Sequence, residues 1–229
     1  LYQLKNGLKL RLYTGGDSMA ESLFKTTANP VFLEAFEQSF PAIDYKKAGA
    51  DENDVFSQAG IPAIPPCMRE TAEIIRTASQ QGIPRLIQAN DIRSVIHSHS
   101  NWSDGSNTLE EMAAECIKRG LEYLVISDHS QTAFYANGLK EDRIREQHRQ
   151  VDQLNSQLAP FKIFKSIESD ILNDGSLDYP VDVLKTFDLV IASVHSNLGM
   201  PEEKANARLI KAIENPYTRI LGHMTGRLL

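Results

Sequence analysis

Five strand-like runs, separated mostly by helical segments, recur from Asp91 to the end of the sequence. Strands that alternate with helices favour a parallel sheet with helices packed against it. Each of these runs stops at residues that can bind a metal ion, and these residues are His97, His99, His129, Glu168, His195 and His223. In β/α barrels the chemistry lies at the carboxyl ends of the strands. Ligands that are scattered in sequence are therefore expected to converge in space.

The densest part of this pattern lies between Asp91 and Gly105. Alternate side chains of a strand point to the same face, so His97 and His99 can face one ion. Gly105 allows a sharp turn that brings Asp104 back towards them. Imidazole nitrogens together with a carboxylate suit Zn, Mn or Fe better than Ca or Mg. Any one of these histidines alone could be a hydrogen-bonded structural residue, but chance placement of five of the six histidines at strand ends is difficult to sustain.

The residues before the repeated pattern predict a small α+β segment. Asn6-Gly7 is typical of a tight hairpin turn, and the hairpin is expected between Tyr2 and Tyr13. Helices are predicted over residues 18–24, 30–40, 51–59 and 69–81. The proline-rich stretch Ile61–Pro66 forbids regular structure and is interpreted as a linker. The predicted organisation is thus one segment over residues 1–66 and an α/β domain over residues 67–229.

Within the α/β domain, helices are predicted over residues 108–118, 140–158, 180–187 and 201–213, and the later strands over 122–127, 161–167, 189–194 and 219–221. The helix over 140–158 also carries the sixth histidine, His148. It lies at helical spacing beside Ile144 and Val151, which predicts a residue at the edge of the core or in solvent. No functional role is assigned to His148.

Composition excludes some classes of protein. The net charge of −6 gives no basic footprint, so nucleic-acid binding cannot be argued from overall charge. Cys67 and Cys116 are the two cysteines, and their separation indicates neither a disulfide framework nor a thiolate zinc site.

We expect a cytoplasmic protein without a membrane span or signal peptide. Because the chain opens at Leu1 in a strand-like run, we also expect it to be a piece of a longer protein.

The ordered motifs resemble the PHP (polymerase and histidinol phosphatase) domain. The resemblance is carried by His97–Gly105, Ser127–Ser130, Ile167–Leu172, Ile191–Ser196 and Ile220–Leu229. A narrower resemblance, to the C-terminal PHP domain of bacterial family X DNA polymerases, also draws on Ala136-Asn-Gly-Leu139, Asn173–Pro180 and Ile61–Pro66. Together these motifs cover roughly residues 50–229. Residues 1–50 are more loosely similar to the end of that family's polymerase palm and thumb region.

The resemblance implies a distorted β/α barrel, with seven strands in the family, that holds two or three divalent metal ions. Carried over position by position, His97, His99 and Glu168 would hold one ion. Glu168 would bridge to a second ion, which His195 and His223 complete.

For a third ion the resemblance implies Asp104 and His129. The family also has a later Asp-x-His pair, which this sequence does not reach before Leu229. The expected barrel is therefore truncated at its last strands. Met224 stands where the family usually has proline, and we expect this to affect the loop more than the metal.

Such a cluster suits phosphoester hydrolysis, because adjacent divalent ions activate water and hold phosphate oxygens without a Ser or Cys nucleophile. Asp104, Glu168 and His195 are the candidate catalytic residues. Asp128, next to His129, is expected to orient an imidazole rather than bind an ion. Arg93, Lys165 and Arg227 are candidates for contact with substrate phosphate. For each of them, a solvated basic side chain is the favoured interpretation.

Three functions follow from these residues and the resemblance. The first is metal-dependent 3′–5′ exonuclease or 3′-end processing of DNA in repair, with DNA held through a full-length protein that includes an N-terminal polymerase domain. The second is hydrolysis of small phosphate esters, as in histidinol phosphatases. The third is a non-catalytic module whose metals only stabilise the barrel.

Overall fold

The computed structural model describes residues 2–5, 7–10, 12, 18–49 and 51–224. The chain divides into two compact units, Leu1–Leu86 and Ile87–Leu229. The division between the compact units thus lies after residue 86, whereas the predicted domain boundary after residue 66 stays a prediction. The physical reason is that residues 67–86 contribute to the core of the first unit, where Arg69, Ile75 and Ala78 are buried.

The first unit contains one two-stranded sheet and four α-helices among the described residues. Their bounds are β1 (Tyr2–Gln3), β2 (Lys9–Leu10), α1 (Met19–Thr26), α2 (Pro30–Ser39), α3 (Asn53–Ala59) and α4 (Glu73–Gln81). β1 and β2 pair antiparallel, as the predicted hairpin requires. Asn6 of the predicted turn, and the end of the hairpin at Tyr13, lie outside the described residues.

Aromatic side chains form the core of the first unit. Four buried phenylalanines pack with ring centroids 4.8–6.1 Å apart: Phe24, Phe32, Phe36 and Phe56. Arg69 is only 2% exposed beside them and donates to both carboxylate oxygens of Glu52 at 2.9 Å. It also donates to the Ile64 carbonyl at 2.7 Å. A buried guanidinium with these partners is satisfied, so Arg69 is a structural residue.

The second unit is an α/β fold. Its strands are β3 (Ser94–Ser98), β4 (Tyr123–Ile126), β5 (Lys162–Asp170), β6 (Leu189–Ser193) and β7 (Thr218–Leu221). Its helices are α5 (Leu109–Lys118), α6 (Glu141–Leu158), α7 (Val181–Leu184) and α8 (Glu202–Ile213). The strands form one curled parallel sheet in the order β3-β4-β5-β6-β7. This sheet is half of a barrel, which agrees with the predicted α/β class and truncated barrel.

Local sequence signals explain how the helices dock on this sheet. Thr108 and Glu111 form the predicted capping box at the start of α5, which satisfies otherwise unpaired backbone N–H groups. Helix α5 then buries Ala113, and α6 buries Val151 on the same cluster, against Leu124 of β4. Strand β4 is buried almost completely, as expected for a parallel sheet that is covered by helices.

One strand is longer than the sequence predicts. The predicted strand stops before Glu168, whereas β5 continues to Asp170 because its last residue pairs with Ser193 of β6. Glu168 and Asp170 consequently lie on the same face of the sheet.

Among the described helices, none combines the length and the apolar character that a membrane crossing requires.

His148 packs as a structural residue. Its ring lies edge-on to Phe187, with centroids 5.0 Å apart and an interplanar angle of 88°. Its Nε2 is buried and has no hydrogen-bond partner among the described residues. Burial lowers the pKa of His148 from 6.5 to about 4, with a smaller contribution of the same sign from Lys165. His148 is therefore neutral in the folded protein near pH 7.

We expect His148→Phe to remove an acid-sensitive contribution to stability. Between pH 6.5 and 4 the unfolded wild type binds a proton that the folded wild type does not, so lowering the pH destabilises the wild type. Phenylalanine keeps the edge-on ring contact and cannot titrate. The free energy of unfolding, measured with urea at pH 7.5 and pH 5, should fall by about 2 kcal/mol more for the wild type than for the variant. A constant difference would contradict this assignment.

Candidate metal centre

The parallel sheet brings all seven predicted ligands to one end of the second unit. Glu168 lies near the end of β5, and the histidines lie at or just after the ends of the other four strands: His97 and His99 at β3, His129 after β4, His195 after β6 and His223 after β7. The short loops at this end therefore determine the geometry of the cluster.

The Glu168 carboxylate is the centre of the cluster. It is 1% exposed and has imidazole nitrogens around both of its oxygens. The distances from Oε1 are 2.9 Å to His97 Nε2, 3.2 Å to His195 Nε2 and 2.8 Å to His223 Nε2. The distances from Oε2 are 3.5 Å to His99 Nε2 and 3.2 Å to His129 Nδ1. One carboxylate thus contacts five imidazoles from four different segments of the chain, because His97 and His99 both lie at the end of β3.

Asp104 closes the cluster on its more open side, with 48% of its side chain exposed. Its carboxylate oxygens lie 3.9 Å from His99 Nδ1 and 3.8 Å from His129 Nε2. The turn that brings it there needs Gly105, because a Cβ at this position would lie 2.1 Å from the His99 carbonyl oxygen. The predicted return of Asp104 is therefore observed. Gly105 is required for the close approach of the two backbone segments.

Among the described residues, three groups of candidate ligand atoms are each close enough to hold an ion. They are His97 with Glu168 and His223, His99 with Asp104 and His129, and His129 with Glu168 and His195. The resemblance divides the same seven residues differently, since it places His97 with His99 and His223 with His195. The assignment of ligands to individual ions stays a prediction.

Two ligands have backbones in the left-handed region, which is strained for residues other than glycine. His97 has φ 65° and His223 has φ 25°. The pairing of β3 with β4 is irregular between Val95 and Ser98, so a bulge turns His97 towards Glu168. Simple strand alternation, on which the predicted pairing of His97 and His99 rests, is thus only part of the reason why they converge. Such strain often marks functional sites.

The donor set fits divalent transition metals. The Nδ1 atoms of His99 and His129 are buried and have no hydrogen-bond partner among the described residues. His129 Nδ1 lies 3.2 Å from Glu168 Oε2 but without the alignment of a hydrogen bond. Burying polar atoms without partners is costly. An ion beside each Nδ1 would satisfy it, with Asp104 next to His99 and Glu168 next to His129. Imidazole and carboxylate ligands together suit Zn, Mn or Fe.

Asp128 has a different task from the predicted one. Its buried carboxylate accepts hydrogen bonds from Ser100 N and Oγ at 2.7 Å, from Ser103 Oγ at 2.6 Å and from Gln147 Nε2 at 2.6 Å. None of these partners is an imidazole. Asp128 therefore orders the loop that connects His99 to Asp104.

Asp170, which the sequence interpretation missed, contacts an imidazole directly. Its Oδ1 lies 2.5 Å from His195 Nδ1, and its Oδ2 accepts a hydrogen bond from Thr132 Oγ1 at 2.8 Å. With an ion bound, a proton kept on Nδ1 by Asp170 would leave Nε2 of His195 as the nitrogen that binds the ion. The signal in the sequence is the spacing of two between Glu168 and Asp170 on one strand.

The charges within the cluster are strongly coupled. Burial alone would raise the pKa of Glu168, but the hydrogen bond and charge of His195 outweigh burial and hold this pKa well below its usual range. Burial would lower the pKa of His195, but hydrogen bonds to Asp170 and Glu168 raise it to about 9. Burial lowers the pKa values of His97 and His129. The carboxylate thus stays ionised, as a metal ligand must be.

Of the three candidate phosphate-binding residues, the two that the structure describes pair with carboxylates outside this cluster. Arg93 precedes β3, at the opposite end of the sheet, and pairs with Glu122 at 2.7 Å. Lys165 pairs with Asp152 at 2.6 Å. Arg227 lies outside the described residues. The two described residues therefore fit the alternative interpretation of basic side chains engaged elsewhere.

The fold and the ligand cluster define an α/β protein with a candidate metal centre at the carboxyl end of a parallel sheet. The sequence matches the PHP domain family over residues 96–225, more than half of the chain. The chain belongs to the PHP domain family.

Relatives of this chain carry two kinds of name. It is 42% identical over 183 residues to the DNA polymerase/3′-5′ exonuclease PolX of Bacillus subtilis, covering 80% of this chain and 32% of that protein. It is 30% identical over 145 residues to a probable phosphatase of Caldanaerobacter subterraneus subsp. tengcongensis, covering 58% of this chain and 52% of that protein. It is 33% identical over 139 residues to a probable phosphatase of Caldicellulosiruptor bescii, covering 56% and 52%.

The chain thus spans about a third of the length of the first relative and about half of the length of the two phosphatases. Family membership and these names support a metal-dependent phosphoesterase.

We expect Asp170→Asn to weaken metal binding by about 10- to 100-fold, because His195 loses the charged partner that fixes its orientation. Competition with a chromogenic chelator measures the Mn²⁺ and Zn²⁺ affinities directly. Nitrogen chemical shifts of His195 should show that the preference for a proton on Nδ1 is lost. The matched control is Asp182→Asn, on an exposed part of α7. Equal affinities for wild type and Asp170→Asn would contradict the proposed positioning role.

Proposed function

We propose that this protein hydrolyses phosphoester bonds of DNA in a metal-dependent reaction, as a 3′–5′ exonuclease or 3′-end-processing activity within a family X DNA polymerase. The observation that carries the proposal is the convergence of five histidines and Asp104 around the buried carboxylate of Glu168. The similarity to the B. subtilis polymerase and exonuclease over 80% of this chain supports DNA as the substrate.

In this proposal His97, His99, His129, His195, His223, Glu168 and Asp104 hold two or three divalent ions, which are Mn, Zn or Fe. Adjacent divalent ions supply Lewis acidity for water activation and for the phosphate oxygens. The side chains of the protein determine where these ions would lie. Glu168, at the centre of the cluster, would be shared between ions. Asp104 is the half-exposed ligand candidate, and His195 lines the cavity beside the cluster.

Two carboxylates keep this arrangement rigid. Asp128 fixes the loop between His99 and Asp104 through hydrogen bonds to Ser100 and Ser103. Asp170 fixes the ring of His195. Preorganised ligands favour catalysis, because little reorganisation is needed when the substrate binds.

The net charge of −6 supports a division of labour in which DNA is held mainly by the polymerase part of a longer protein. The covalent link to such a polymerase region is part of the proposal. So is the looser similarity of residues 1–50 to the end of its palm and thumb region, with a linker at Ile61–Pro66.

A second candidate is a phosphatase for small phosphate esters. The names of the phosphatase relatives favour it, as does a cavity of about 390 Å³ beside His195 and His223. Turnover of phosphate monoesters without turnover of DNA ends would favour this candidate. A metal-loaded protein that binds DNA but cleaves neither substrate would favour a third candidate, a non-catalytic module.

We expect His97→Ala to lower Mn²⁺-dependent release of nucleotides from a DNA 3′ end by at least about 100-fold, because an ion loses one of its few protein ligands. The assay follows a 3′-labelled oligonucleotide with the metal-loaded protein. His148→Phe is the matched control, since this histidine lies outside the cluster and should leave the rate unchanged. Unchanged nuclease activity of His97→Ala would overturn the proposal.

A further inference from the structure

Two neighbouring aromatic side chains are left exposed beside the candidate metal centre. Phe134 and Tyr135 lie in a short 3-10 turn and are 86% and 65% exposed. Their ring centroids are 6.2 Å apart, with an interplanar angle of 76°. The residues on either side, Ala133 and Ala136, are buried and pack the turn against the domain. The two aromatic rings are therefore not needed for the packing of this turn.

The two rings extend outwards from the ligand cluster. The Tyr135 ring centroid lies 6.3 Å from that of His129, and Tyr135 lines the cavity that is bordered by His195 and His223. Both aromatic rings also line a second cleft of about 650 Å³, which reaches His195 and Asp170. A ligand that is held at the metal centre can thus continue over these rings.

The turn that presents the rings is anchored at both ends. On one side Gln131 Nε2 donates to the Asp178 carbonyl, and the Thr132 N–H donates to the Asp178 carboxylate, each at 2.7 Å. On the other side Gly138 lies so close to Ser130 that a Cβ would come within 1.8 Å of the Ser130 carbonyl oxygen. A rigid presentation of aromatic rings lowers the entropic cost of binding.

The charge of the second cleft selects what can lie on the rings. Its lining includes the carboxylates of Asp170 and Asp174, and no Lys or Arg is among its described lining residues. These two carboxylates are paired with His195 and Lys211. The described lining thus has no unpaired cation for a second phosphate group, whereas a neutral planar group is compatible with it. Asn173 offers a hydrogen-bonding edge in the same cleft. A nucleobase attached to the phosphoester at the metal centre has these properties.

We propose that Phe134 and Tyr135 form a stacking platform for the terminal base of a single-stranded nucleic acid whose phosphoester lies at the metal centre. Because the two rings are inclined at 76°, the base places its face on one ring and its edge against the other. This inference rests on the proposed function and adds the recognition of an unpaired end. Stacking tolerates all bases, because each has a π-face, so the platform is expected to bind without sequence preference.

The test is equilibrium binding of a short oligodeoxynucleotide that carries 2-aminopurine at its 3′ end and a phosphorothioate at the last linkage, which slows cleavage. A second oligonucleotide has an abasic 3′ end. With Mn²⁺-loaded protein, 2-aminopurine fluorescence should be quenched on binding, and the base-bearing strand should bind about tenfold more tightly than the abasic one.

Phe134→Ala and Tyr135→Ala should each weaken binding of the base-bearing strand by about tenfold and reduce the quenching, while binding of the abasic strand stays the same. Tyr135→Phe and Phe134→Trp should retain both signals. The matched control is Ile117→Ala, an exposed apolar residue of α5. If the alanine variants bind both strands as wild type does, or lose affinity for both strands equally, the platform is overturned.

Hydrolysis of unmodified DNA is measured separately with the same proteins. Cleavage by the wild type without fluorescence quenching would overturn the platform and leave the proposed function standing. Quenching that depends on Phe134 and Tyr135, without any cleavage, would support the platform and overturn the proposed hydrolysis.

Discussion

The buried carboxylate of Glu168 is the group on which the rest of the second unit depends. A carboxylate that is 1% exposed would be costly without compensating partners, and here five imidazoles provide them. Its position is fixed by β5, the middle strand of a parallel sheet. The neighbouring strands end beside it, so each brings its histidines to the same point. The topology of the sheet and the chemistry of the site therefore have a common origin.

The loops at this end are ordered by further buried charges. Asp128 fixes the segment from His99 to Asp104, and Asp170 fixes His195. Close backbone approaches complete the arrangement, because a Cβ at Gly105 would collide with the His99 carbonyl and one at Gly222 would lie 2.1 Å from Ser193 Oγ. A ligand set held in this way needs little rearrangement to receive an ion. This rigidity connects the fold to the proposed chemistry.

Much of this architecture could be predicted from the sequence. Strands that alternate with helices predicted the parallel sheet, and a ligand at the end of each run predicted the cluster. These signals are local or periodic, so they can be recognised in the sequence without knowledge of tertiary contacts. The choice of candidate ligands follows from the same pattern, and that choice stays a prediction. The division of these candidates among individual ions does not follow, since it depends on distances of a few ångströms.

The features that the sequence did not reveal depend on contacts between distant segments. β5 extends to Asp170 because it pairs with β6, and this extension creates the contact with His195. The bulge at His97 depends on how β3 pairs with β4. Residues 67–86 belong to the first unit, where Arg69 forms an ion pair with Glu52. Arg93 and Lys165 looked available in sequence, but their acidic partners lie 29 and 13 residues away in the chain.

The central claim, that Glu168 organises one metal centre of several ions, is tested most directly by anomalous X-ray scattering from crystals soaked in Mn²⁺. We predict two or more adjacent peaks among the seven ligands, with Glu168 contacting more than one ion. The absence of any peak at this cluster, or peaks only elsewhere in the chain, would contradict it.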